Sequence, residues 1–109
     1  MSTYARFHKR FAPLCVLFDG TNTADVDTFT RATGKPGGFR ARETADGDLT
    51  HEVYDYMHRS WIGVKADQWV ARGPVDEHYP IAAEVLGDTT NYIREDVSAA
   101  EAVTWPTRG

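Results

Sequence analysis

The sequence predicts an α+β fold: one small domain, mostly antiparallel sheet, with one main helix after the first strand and a short C-terminal helix. Three observations predict it. Short β-prone runs recur through residues 14–93, each bounded by Gly, Pro or Asp-Gly punctuation. The segment 22–34 alone combines a helix start, apolar residues at helical spacing and a glycine stop. The length of 109 residues, 41% hydrophobic and 12% aromatic, suits one core, since single domains commonly hold ~100–150 residues.

Residues 1–10 are polar, and residues 1–13 read as a flexible N-terminal arm, followed by a compact domain over 14–93. LCVLF (14–18) is short, apolar and β-prone, so it reads as a buried strand. DGTN (19–22) breaks it. Asn22 stands as a helix N-cap with Asp25 three positions on, where a carboxylate suits the positive end of the helix dipole. Val26, Phe29 and Ala32 follow at near-helical spacing, and Gly34 supplies the stop.

KPGG (35–38) is a turn cluster. FRARET (39–44) and LTHEVYDYM (49–57) flank ADGD, whose Asp-Gly pair signals a hairpin. WIGV (61–64), WVAR (69–72) and EHYPI (77–81) are further strands, the last two joined by a tight turn at GPVD (73–76). AAEVL (82–86) is a helical turn closed by Gly87, and NYI (91–93) a last strand. Residues 94–109 read as an acidic tail, in which Ser98 and Glu101 have capping-box spacing for a short helix.

The net charge of −4 argues against a nucleic-acid partner, which would need a basic stripe to displace phosphate counterions. Cys15 is the only cysteine, so neither an internal disulfide nor a cysteine-rich zinc site is available. The longest apolar run, FAPLCVLF, falls far short of the ~20 residues of a membrane span.

HEVYDYMH (51–58) concentrates two of the four histidines with two carboxylates. A helix would stack His51, Asp55 and His58 on one face, at a spacing that could present metal ligands. Val53, Tyr54 and Tyr56 favour a strand instead, and an Asp-Gly turn lies just upstream. The strand places Glu52, Tyr54, Tyr56 and His58 on one face and His51, Val53, Asp55 and Met57 on the other, so no metal site is expected. FDGT (18–21) is similar to the haloacid-dehalogenase phosphatase signature, but Leu17 stands where that chemistry needs a nucleophilic aspartate, leaving Asp19 a turn former. TGKPGG (33–38) departs from the phosphate-loop pattern, and no serine lies in a nucleophile elbow. No catalytic residue and no cofactor is expected. The aromatic residues Trp61, Trp69, Tyr79 and Tyr92 gather in the second half. Most are expected to pack in the core, while Trp61, Trp69, His78 and Tyr79 are the candidate contact surface for a partner.

Two segments together, VLFDGTNTADVDTFT (16–30) and ADQWVARGPVDEHYPIAAEVLGDTTNYI (66–93), resemble a group of small uncharacterised proteins of tailed bacteriophages and prophages. Those carry an aromatic-Asp-Gly-Thr-Asn strand end before a short helix, and later a Gly-Asp-Trp strand, a glycine-containing turn and Phe-Tyr-Pro. Here Ala66 replaces the glycine, Gln68 separates Asp67 from Trp69, and His78 stands in place of Phe. The resemblance implies a compact α+β accessory product of a phage, with no catalytic residues. The expectation is a non-enzymatic binding protein in the host cytoplasm, acting on a host protein or small ligand. The alternatives are a capsid- or tail-associated virion component and a small metal-dependent hydrolase using Asp19, Asp55 or the histidines. An exposed strand edge could support an oligomer.

Overall fold

The computed structural model describes residues 2–8, 13–87 and 93–103, and these form eight strands and three helices. In order they are β1 (Tyr4–His8), β2 (Leu14–Leu17), α1 (Thr23–Arg31), β3 (Phe39–Asp46), β4 (Leu49–Asp55), β5 (Ser60–Val64), β6 (Gln68–Arg72), β7 (His78–Ala82), α2 (Ala83–Leu86), β8 (Ile93–Val97) and α3 (Ala99–Val103). Two antiparallel sheets result, one in the order β7-β6-β2-β1-β8 and one in the order β3-β4-β5. This is the predicted α+β class, with the main helix after the Leu14–Leu17 strand and a short helix near the C-terminus.

The core lies between the inner face of the five-stranded sheet and a layer made of the three-stranded sheet with α1 and α3. Tyr4, Leu14, Val16 and Val70 come from one side, Val26, Phe29, Phe39, Val53, Val64 and Ala102 from the other. Strand alternation selects them, because residues two apart share a face. The opposite face of the five-stranded sheet is apolar as well, carrying Ala5, Phe7, Cys15, Trp69 and Ala71 with Leu86 of α2 packed on them.

The flexible arm is corrected. Tyr4–His8 is an internal strand, hydrogen-bonded between β2 and β8. Arg6 and His8 at alternate positions hide it from a hydropathy reading. Arg6 is nevertheless buried, at 6% exposure, and its guanidinium lies 3.6 Å from the Glu101 carboxylate. The acidic tail is corrected in the same way: Ile93–Val97 is the edge strand beside β1, so the compact unit extends past residue 93. Asn91 and Tyr92 of the expected last strand lie outside the described residues. The tail helix forms as α3, and the Ser98 hydroxyl accepts from the Glu101 N–H at 3.1 Å.

The β3–β4 hairpin closes through Gly47 and Asp48, with Asp46 opposite Leu49. Gly47 sits at φ +59, the positive value that a tight hairpin asks of its first linking residue. Gly37 has a different reason to be glycine: a β-carbon there would land on the Thr30 carbonyl oxygen of α1. Backbone cannot swing aside as a side chain can. Gly37→Ala is therefore expected to cost about 2–3 kcal/mol by overpacking, against about 1 kcal/mol for Gly47→Ala, where only the backbone conformation resists. Urea unfolding of both variants checks the order, and equal costs would remove the steric account of Gly37.

Candidate functional site

The DGTN segment (19–22) is a closed hydrogen-bonded turn. Asp19 Oδ1 accepts from the Thr21 N–H at 2.8 Å, the Thr21 hydroxyl at 2.7 Å and the Asn22 N–H at 3.1 Å. Asn22 returns the bond, its Oδ1 accepting from the Asp19 N–H at 2.9 Å. The amide of Asn22 donates to the Leu17 carbonyl at 2.8 Å. Asn22 therefore holds the expected N-cap position of α1, with its side chain engaged in the turn rather than in the helix. The Thr21 hydrogen bonds hold the Asp19 carboxyl below its ordinary range. Asp19 is the turn former that its spacing suggested.

In the GPVD segment (73–76), Gly73 donates to the Glu77 carbonyl at 2.7 Å, and Asp76 adopts φ +67, which closes the β6–β7 turn. A β-carbon on Gly73 would collide with the Glu77 carboxylate. Gln68 uses its side-chain oxygen to accept from the Lys65 N–H at 2.9 Å, closing the turn that carries Asp67 at φ +71.

HEVYDYMH is a strand through Asp55, followed by a turn over 56–59. His51 lies on the inner face between Phe18, at 4.6 Å, and Phe39, stacked at 5.5 Å. Its ring nitrogens meet Thr23 Oγ1 at 3.2 Å and Thr50 Oγ1 at 2.8 Å, and burial lowers its pKa. His58 is not on the face that strand alternation assigned to it. The turn brings its Nδ1 back to Asp55 Oδ2 at 2.6 Å, and that hydrogen bond raises its pKa. Asp55, at 3% exposure, also accepts from the Met57 N–H at 2.9 Å. Cys15 is buried, and burial pushes its thiol up to about 12, which leaves it without the thiolate a nucleophile requires.

The four candidate contact residues do not form one surface. His78 faces the core at 1% exposure. Its Nε2 accepts from Arg72 Nε at 3.3 Å, and its ring meets Phe29 edge-on at 5.5 Å. Burial, helped by the Arg72 charge, drives its pKa down to about 3. Tyr79, the next residue along the strand, faces the opposite way, onto the outer face of the five-stranded sheet, and Trp69 shares that face. Trp61 belongs to the other sheet. It packs with Tyr54 at 5.3 Å and lies under the Arg40 guanidinium at 3.7 Å, while Arg40 is tied to Glu52 at 2.6 Å. Its indole reaches toward Gly38, where a β-carbon would crowd it.

Among the described residues, Trp69 borders a cavity of the size of a small ligand. On the outer face of the five-stranded sheet, Phe7, Leu17, Trp69 and Leu86 border a mostly apolar groove of about 390 Å³ that also touches Asp67 and Arg94. Strands β1, β2 and β6 supply its floor and α2 one wall. Trp69 packs edge-on against Phe7, with centroids 5.2 Å apart. The Arg94 guanidinium lies 5.3 Å from the Trp69 ring and 2.7 Å from Asp96 Oδ1. Sequence reasoning found Trp69 but missed Phe7, Leu17, Leu86 and Arg94. Phe7 and Arg94 fell in segments read as arm and tail. Leu17, by contrast, could have been placed opposite Val16 from strand alternation alone. Among the described residues, no helix is long and apolar enough to cross a membrane. Comparisons with family models, curated proteins and solved structures find no match to this chain.

Proposed function

We propose that this chain is a non-enzymatic binding module, an accessory protein encoded by a phage or prophage, which takes up a small ligand in the host cytoplasm. The observation that carries the reading is the groove on the outer face of the five-stranded sheet, about 390 Å³ in volume and mostly apolar. Small-molecule sites have this size and make-up, an apolar wall with a few polar groups that fix orientation. The chemistry supported best is a planar or aliphatic body bearing an anionic group. Phe7, Leu17, Trp69 and Leu86 would cover the body, and the exposed Arg94 would meet the anion. The hydrolase alternative draws less support, because Asp19, Asp55, His51 and His78 are each engaged in hydrogen bonds at separate places in the fold.

Anilinonaphthalene sulfonate, an aromatic anion, is the probe. Its fluorescence is expected to rise to saturation at one site on the native protein, with quenching of tryptophan emission. Ala83→Phe, on the α2 wall, is expected to weaken binding at least tenfold while the circular dichroism spectrum is retained. Failure of the native protein to bind the dye, or equal binding by the folded variant, would overturn the reading.

A further inference from the structure

The apolar groove beside Trp69 is bordered by one basic and one acidic side chain, Arg94 and Asp67. They arrive from different strands. Arg94 stands on β8 opposite Phe7 of β1, so both side chains rise on the outer face of the sheet. Asp67 enters β6 two residues before Trp69. β2 and β1 lie between β6 and β8, which sets the two backbones roughly 14 Å apart at ~4.8 Å per strand. The Arg94 side chain bridges part of that distance, bringing its guanidinium to 5.3 Å from the Trp69 ring.

Arg94 keeps donors to spare. Its Nε donates to Asp96 Oδ1 at 2.7 Å, and among the described residues no acceptor meets its two Nη groups. Asp96 therefore orients the guanidinium while leaving the Nη pair for a carboxylate, which that planar fork matches with two parallel hydrogen bonds.

Asp67 is held by its backbone. Its N–H donates to the Phe18 carbonyl at 2.7 Å, and the Phe18 N–H donates to the Gln68 carbonyl at 3.0 Å. The residue adopts φ +71, a conformation that Asp and Asn tolerate better than other side chains with a β-carbon. Its side chain is exposed, and among the described residues the carboxylate meets neither a cation nor a hydrogen-bond donor. A ligand that fills the groove covers this carboxylate. An apolar body there would strip water from it without replacing the lost hydrogen bonds, and a ligand bearing only negative charge would be repelled. An ammonium group on the ligand removes both penalties.

We infer, on the reading that this groove takes a small ligand, that the ligand is dipolar. It carries an ammonium group for Asp67 and a carboxylate for Arg94, at opposite ends of an apolar body that lies against Trp69 and Leu17. The two charges set its orientation in the groove, and the apolar walls set its length and thickness.

The probes are 4-(aminomethyl)phenylacetate, which carries both charges, phenylacetate, which carries only the anion, and benzylamine, which carries only the cation. Each is titrated into the full chain by calorimetry and by displacement of bound anilinonaphthalene sulfonate. The dipolar probe is expected to bind about fivefold more tightly than either partial one, the upper end for an ion pair that keeps contact with solvent. The preference is expected to shrink at high salt. Asp67→Asn keeps a side chain that accepts the positive φ, and is expected to abolish the preference over phenylacetate while tightening dye binding. Glu84→Gln, at a carboxylate that borders the neighbouring hollow but not the groove, is expected to leave the preference intact. Dye binding without any preference for the dipolar probe overturns the inference and leaves the groove as a ligand site. So does a preference that survives in folded Asp67→Asn, or one that Glu84→Gln removes as fully. A chain that binds neither the dye nor any probe overturns both readings.

Discussion

Lowering the pH from about 7 to about 4 is expected to destabilise the protein by about 3 kcal/mol through His78 alone. His78 is neutral in the fold because burial and the neighbouring Arg72 charge hold its pKa at about 3, while in the unfolded chain it returns to its ordinary value of 6.5. Between those values the unfolded state binds a proton that the native state refuses, so stability rises with pH across the window and is lost on acidification. His58 works in the opposite direction. Its hydrogen bond to Asp55 raises its pKa, so its contribution is present below the unfolded value and disappears as pH rises. Its side chain is 78% exposed, and solvent screening leaves it the smaller effect.

The check is urea unfolding at a series of pH values for the native chain and for His78→Phe. The variant removes the titrating ring and keeps an aromatic group against Phe29. Arg72 loses one acceptor but keeps the Phe29 carbonyl at 2.8 Å, so the variant is expected to be somewhat less stable at neutral pH. Its stability between pH 6 and pH 4 is expected to fall much less steeply. An unchanged slope would mean that His78 is not the proton acceptor that drives acid unfolding.

Phe29→Ala is expected to cost about 3–5 kcal/mol, the range for deleting a fully buried ring, and so a large part of a stability of typically ~5–15 kcal/mol. Phe29 has 0% exposure. It anchors α1 through Tyr4 at 6.1 Å, His78 at 5.5 Å and the Arg72 guanidinium 4.3 Å above its ring. Its carbonyl also accepts from Arg72. Burial lowers the Arg72 pKa to about 10, which still leaves the side chain charged at neutral pH. The ring face, the backbone carbonyls of Phe29 and Ala102 and the nearby Asp76 charge are among the groups that meet it. Phe29→Leu keeps most of the apolar volume and loses the ring face, and is expected to cost about 1–2 kcal/mol. Chemical denaturation separates the two. A cost for Phe29→Leu as large as for alanine would place the anchoring in the contact with Arg72 rather than in the filled volume.

Some of this architecture is readable in single residues. LTHEVYD is legible as a strand because Val53 and Tyr54 are β-prone and Asp-Gly precedes it. Its inner face, His51, Val53 and Asp55, is the one alternation names. DGTN is legible as a turn because Asp and Asn side chains close on nearby backbone. That His78 and Tyr79 cannot belong to one surface was also legible, since neighbours in a strand point to opposite faces. YARFH was not legible. Its inner face carries Arg6, whose burial beside Glu101 depends on a helix some ninety residues away.

The candidate site follows the same division. Alternation can place Trp69 beside other outward-facing residues of its own strand. It cannot bring Phe7, Leu17 and Arg94 next to it, because those neighbours arrive through the pairing of β6 with β2, β2 with β1 and β1 with β8. By itself the sequence determined the class of fold, the turns, the main helix and the inner faces of the best-patterned strands, all of which depend on backbone geometry and side chains a few residues apart. The tertiary structure alone decided that β1 and β8 lie side by side, that Trp61 and Trp69 belong to different sheets, and that a groove opens beside the second. Those are properties of strand order, and strand order is selected by the burial of whole faces rather than by any local run of residues.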